Sequence, residues 1–92
     1  MALLDLLGRR WALRVLWELR AGPLTFRALR EACDAVSPTV LNDRLRELRE
    51  AELVSHDDSK GYALTPLGEE LHERFLPLAT WAERWARSTR SG

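Results

Sequence analysis

The sequence predicts a mainly helical α+β fold in one domain spanning 1–92. Apolar residues recur at helical spacing over most of its length. Two short runs rich in strand formers, 53–56 and 62–65, flank a single turn. Side chains suited to capping, Thr25, Ser37 and Thr65, each stand directly before a helical run.

Residues 3–7 form a short helix, interrupted at Gly8. The first strong helix runs from about Arg9 to Arg20, because Trp11, Val15 and Leu19 recur at four-residue spacing beside Ala12 and Leu16. Ala21-Gly22-Pro23 stops it, since Gly accepts a left-handed turn and Pro cannot continue a helix. Leu24-Thr25 is briefly extended. Thr25 then caps a helix over Phe26 to Cys33, with Phe26, Leu29 and Cys33 on one face. After a turn at Asp34-Ala35-Val36, Ser37 caps and Pro38 opens a helix reaching about Glu50. At that first position Pro loses only an N–H that would lack a partner anyway.

Leu53 to His56 is a short strand, Asp57 to Gly61 a turn, and Tyr62 to Thr65 the returning strand. Thr65-Pro66 repeats the cap and proline. The last helix presents Leu67, Leu71, Phe75, Leu78, Ala82 and Trp85 on one side. Pro77 should kink it or split it near Leu76. The tail after Arg87 is expected to fray.

Composition narrows the function. Hydrophobic residues make up 46%, too many for a disordered chain. Fourteen basic and fourteen acidic side chains sum to zero, which excludes a nonspecific nucleic-acid coater. The neutral total hides a balance of +4 over residues 1–30, −5 over 31–58 and +1 over 59–92. No uncharged apolar run approaches the roughly 18–20 residues of a spanning helix, and the start does not read as a signal peptide. One cysteine cannot make an internal disulfide, which points to a reducing, cytoplasmic setting. His56 and His72 lie far apart, and no nucleophile triad, metal-ligand spacing or phosphate loop occurs. No cofactor and no enzymatic activity are therefore expected. Cys33 lies on an apolar helix face and reads as a small core residue.

Helix, short strand, helix, turn, helix, hairpin, helix is the order of a winged helix-turn-helix, whose second motif helix enters the DNA major groove. Here that helix is 38–50. Gly8-Arg-Arg-Trp11, Leu16-Trp-Glu-Leu19, Gly22-Pro-Leu-Thr-Phe-Arg27, Ser37-Pro-Thr-Val-Leu41 and Arg44-Leu-Arg-Glu-Leu48 appear in order. Tyr62-Ala-Leu-Thr-Pro-Leu-Gly68 and Trp81 follow. Over about residues 8–85 this ordered set resembles the HxlR-type bacterial transcriptional regulators. Pieces such as Leu-Thr-Pro-Leu-Gly also occur in MarR-type regulators. The resemblance implies a cytoplasmic homodimer that binds pseudo-palindromic operator DNA through 24–65. Flanking dimerisation helices would lie at 1–20 and 66–88.

The resemblance places groove contacts at Pro38, Thr39, Asn42, Asp43 and Arg46, beside the cap Ser37. With Leu41, Leu45 and Leu48 facing the core, the opposite face carries Thr39, Asp43, Arg46 and Glu50. Arg46 and Asn42 are the expected base readers, since Arg suits guanine and Asn suits adenine. Arg46 could instead pair with Glu50 one turn on. Thr39 stands where the family commonly has a basic residue. Asp43 stands where it has a longer polar or basic one, and an acid there opposes phosphate. Arg27 and Arg30 are expected on the solvent face of the first motif helix, near the DNA backbone. Lys60 is the only base on a wing shorter than the family's, with Asp57 and Asp58 at its tip. Leu4, Leu7, Trp11, Trp17, Phe75, Leu78, Trp81 and Trp85 are the expected dimer contacts. A small-molecule effector is compatible with the resemblance, though no residue specifies one. The alternative is a winged-helix module that binds protein or ligand with weak or lost DNA affinity.

Overall fold

A computed structural model describes residues 2–90. Five helices are seen there: α1 Leu3–Leu7, α2 Ala12–Glu18, α3 Phe26–Ala32, α4 Pro38–Glu50 and α5 Pro66–Arg90. Strands β1 Val54–Asp57 and β2 Gly61–Leu64 pair antiparallel, with Val54 opposite Leu64 and Asp57 opposite Gly61. Leu24 adds a single bridge to Tyr62, so the expected extended stretch before α3 becomes a third rung of the sheet.

Local chemistry sets most boundaries. Thr25 Oγ1 accepts from Ala28 N at 3.1 Å, and Ser37 Oγ accepts from Val40 N at 3.1 Å. Each supplies one of the acceptors that a helix start lacks. Thr65 does more. Its hydroxyl accepts from Gly68 N at 3.0 Å and donates to the Glu52 carbonyl at 2.6 Å, fastening the start of α5 to the end of α4. Helix α4 ends with Glu52 in a left-handed conformation and Leu53 N bonded to the Leu48 carbonyl at 3.0 Å. This closes the last turn without a glycine. The core joins Leu6, Val15, Leu16, Leu19, Leu29, Cys33, Leu41, Leu45, Leu48 and Val54.

Three expectations need correction. The helix expected from Arg9 begins at Ala12, because Trp11 sits in the left-handed region at φ 76°. The turn it makes folds α1 back so that Leu6 reaches the common core. Helix α5 is one element through Pro77 and is not split near Leu76. Pro77 and Glu73 are both exposed, so water can satisfy the Glu73 carbonyl that the proline leaves free. Residues 88–90 continue the helix instead of fraying, and the remaining tail, Ser91 and Gly92, lies outside the described residues.

Candidate nucleic-acid interface

Helix α4 buries Leu41, Leu45 and Leu48 and turns the opposite side outward. Ser37 fixes where the helix starts and Pro38 fixes its first turn. Pro38, Thr39, Asn42 and Arg46 are exposed, and Asp43 is half-exposed. Asn42 and Arg46 are therefore one turn apart on an open ridge. Arg46 Nη1 lies 3.4 Å from Asp43 Oδ1, so its acidic neighbour is Asp43, not Glu50.

The wing stands beside this ridge. Asn42 shares an open groove of about 420 Å³ with Thr25, Phe26, His56 and Tyr62. The His56 and Tyr62 rings lie 4.5 Å apart, and Phe26 approaches Tyr62 at 6.5 Å. At the wing tip Asp57 Oδ1 accepts from Ser59 N at 2.7 Å, Ser59 Oγ at 2.6 Å and Lys60 N at 3.2 Å. Those three donors hold the Asp57 carboxyl below its usual value, the Ser59 hydroxyl foremost. Its charge is thus partly occupied by the turn itself. Asp58 and Lys60 are exposed.

The two arginines of α3 separate. Arg27 is 92% exposed and only loosely paired with Glu31, at 3.6 Å. Arg30, expected on the solvent face, is half-buried, and its Nε donates to the Val36 carbonyl at 2.7 Å. It braces the turn between α3 and α4, where Asp34 and Ala35 are both left-handed. Sequence reading missed this because no local pattern foretells a contact with the far end of that turn. It also missed Arg14, which reaches Glu18 at 2.8 Å and the Ala32 carbonyl at 2.7 Å and so ties α2 to α3.

The residues expected at a dimer seam fall into two groups. Leu4, Trp17, Leu78, Trp81 and Trp85 are exposed, and Leu3, Leu67 and Leu76 join them. Leu7 and Trp11 pack partly against the core, and Phe75 is half-buried. Trp81 and Trp85, at 49% and 54% exposure, do not pack inside their own chain. Between α2 and α5, Leu13, Leu16, Trp17, Leu71, His72 and Phe75 surround a cavity of about 20 Å³, space for one water. Trp17 covers it, with His72 at 5.7 Å and the Arg20 guanidinium 3.9 Å above the indole.

No helix among the described residues is long and apolar enough to cross a membrane, and no group of metal-ligating side chains occurs among them.

Known proteins agree with the geometry. The HxlR-like helix-turn-helix family matches residues 6–90. The uncharacterized HTH-type transcriptional regulator MJ0925 of Methanocaldococcus jannaschii is 30% identical over 89 residues, covering 92% of this chain and 83% of its own. The quinone-bound crystal structure of YodB from Bacillus subtilis superposes with a TM-score of 0.81 at 32% identity, covering 87% of this chain and 90% of that one. A chain described as a transcriptional regulator of the MarR family from Enterococcus faecalis gives a TM-score of 0.84 at 29% identity, with 97% and 86% covered.

Proposed function

The chain belongs to the HxlR-like helix-turn-helix family of transcriptional regulators, and on that premise we propose that it regulates transcription by binding a pseudo-palindromic operator as a homodimer. Helix α4 enters the major groove, with Arg46 and Asn42 reading base edges and Thr39 and Pro38 at its leading end. The observation that carries this is the outward ridge of α4: Asn42 and Arg46 stand exposed, one turn apart, on a helix pinned from behind by three buried leucines. Such a pair can offer bidentate contacts to adenine and guanine. Arg27, at the start of α3, contacts a phosphate, and Lys60 is the wing's only cation to do so. The apolar strip of α1 and α5 forms the seam between subunits. Two reading helices related by a two-fold axis then imply half-sites about one DNA turn apart, roughly 10–10.5 bp or a multiple. On this reading the protein is a regulator and not an enzyme, and it acts in the cytoplasm.

A gel shift on DNA from the protein's own upstream region, over a salt series, tests the reading. A discrete complex that weakens steeply with salt, and that Arg46→Ala loses selectively, supports it. No retardation at low salt supports the second reading, a winged-helix module that binds protein or ligand. Exposed Asp58 at the wing tip favours that second reading. A quinone is bound in one YodB structure. A ring-sized effector here would have to widen the cavity under Trp17.

A further inference from the structure

Arg46 has an acid about one turn to either side, Asp43 and Glu50, and it pairs with only one of them. Its Nη1 lies 3.4 Å from Asp43 Oδ1, while Glu50 is exposed on the other side. The choice has a direction. Side chains on a helix lean toward its N-terminus, and a recognition helix offers its N-terminal residues to the bases. Pairing with Glu50 would draw the guanidinium back along α4. Pairing with Asp43 draws it forward, toward Thr39 and Asn42. The contact is an ion pair through Nη1 and not a hydrogen bond, so the Nε and Nη2 edge of the fork stays open for a bidentate contact. Both side chains are solvent-accessible, 64% for Arg46 and 42% for Asp43, so the pair stands at the surface the duplex would meet.

We infer that Asp43 determines specificity, holding Arg46 toward a guanine edge and keeping it off the nearest phosphate. This rests on the operator-binding function proposed above. An unrestrained arginine on a long flexible stem gains nearly as much from any phosphate as from a base. A carboxylate beside it removes that alternative twice, by repelling phosphate and by holding the fork. The acid that lowers affinity for any duplex therefore raises discrimination among duplexes.

The two effects have opposite signs, which makes them separable. Wild type, Asp43→Ala, Arg46→Ala and the double variant are titrated against a duplex from the upstream region and a random duplex of equal length. Asp43→Ala should bind the random duplex roughly twofold more tightly, as one repelling charge leaves the surface. Its ratio of upstream to random affinity should fall about two- to fivefold, the scale of an exposed ion pair. In the Arg46→Ala background the ratio should not change further. Equal tightening on both duplexes would reduce Asp43 to simple repulsion and overturn the inference. A wild type that prefers neither duplex instead defeats the operator reading itself. Relaxation of the Arg46 Nε–Hε group in the DNA-free protein supplies an independent check: Asp43→Ala should make it more mobile, and unchanged order would overturn the restraint.

Discussion

Glu47 Oε2 forms an ion pair with Arg9 Nε at 2.9 Å, and Glu47 Oε1 accepts from Arg44 Nη1. Arg44 Nε also donates to the Arg10 carbonyl at 3.0 Å. These contacts bind the segment between α1 and α2 to the flank of α4, alongside the buried leucines. The turn at left-handed Trp11 is therefore held from outside as well as by its own hydrogen bonds. Glu47, only 12% exposed, restrains rocking of α4 on the flank that faces the turn between α1 and α2.

Glu47→Ala leaves two arginines without their carboxylate. A charge-assisted hydrogen bond such as that from Arg44 contributes up to about 1.5–3 kcal/mol, and partial exposure of the contacts, above all that of Arg9, reduces the net effect. A loss of about 1 kcal/mol, or about 4–8 °C in Tm, is expected in thermal unfolding. An unchanged Tm would show that the three side chains do not act together.

Gly68 lets α5 approach Leu53 and Leu64 closely. A Cβ added there would lie 2.2 Å from the Leu53 carbonyl oxygen and 3.3 Å from the Leu64 Cβ. Carbonyl and helix cannot both yield, because the Leu53 carbonyl accepts from Thr65 N at 3.1 Å. Gly68→Ala should destabilise by about 3 kcal/mol, at the upper end for overpacking, despite alanine's better helix propensity. Urea unfolding with a lowered midpoint and unchanged slope would bear this out.

Arg27 and Arg30 should respond in opposite ways. Arg27→Ala should leave stability within about 0.5 kcal/mol. It should weaken binding to all duplexes and lower the salt slope by about one. Arg30→Ala removes the donor to the Val36 carbonyl and should cost about 1–2 kcal/mol of stability. Parallel melting curves and salt titrations of the two variants would separate them. A salt slope unchanged from wild type for Arg27→Ala would remove it from the phosphate contacts.

Burial pushes the Cys33 thiol up from its ordinary value. The unfolded thiol then ionises first as pH rises. Its contribution to stability is fully present below the ordinary thiol pKa of about 8.5 and is lost above it. Stability should fall between pH 8 and 10 more steeply in wild type than in Cys33→Ala, measured as urea midpoints. Labelling by a bulky thiol reagent at neutral pH should require unfolding. Rapid labelling of the folded chain would contradict the buried position.

What was legible in the sequence was local. Thr25, Ser37 and Thr65 announce their helices because a cap acts within three residues. The outward face of α4 follows from the spacing of Leu41, Leu45 and Leu48 alone. The strands were placed to within one residue, since Asp57 and Gly61 define the turn between them. What was not legible lies across the chain. Trp11 looks like the next rung of a helical stripe until contacts from Glu47 and Arg44 are known. Arg30 looks like a solvent-facing cation until the turn at Asp34 and Ala35 brings the Val36 carbonyl within reach. Arg46 has acids at both i−3 and i+4, and sequence spacing alone does not choose between them.

Helix α5 carries the last prediction. Leu67, Leu71, Arg74, Leu78, Trp81 and Trp85 follow one another at alternating spacings of four and three, the period of a two-helix seam. Leu71 packs against its own core, whereas Leu67, Leu78 and both tryptophans remain exposed. Beyond Phe75 only Ala79 and Ala86 are even half-buried among the described side chains, so that half of the helix has little of its own chain to lean on. Two exposed indoles one turn apart are a large apolar surface for a domain with so modest a core. A second copy would cover them. Sedimentation of the wild type should then give about twice the 10.6 kDa chain mass. Trp81→Ser with Trp85→Ser should yield monomer, with a Tm that no longer rises with protein concentration. Since Arg46 and Asn42 are untouched, the double variant should keep contact with a single half-site while losing affinity for the paired site. A monomeric wild type at micromolar concentration would leave the tryptophans without this role and the paired half-sites without a cause.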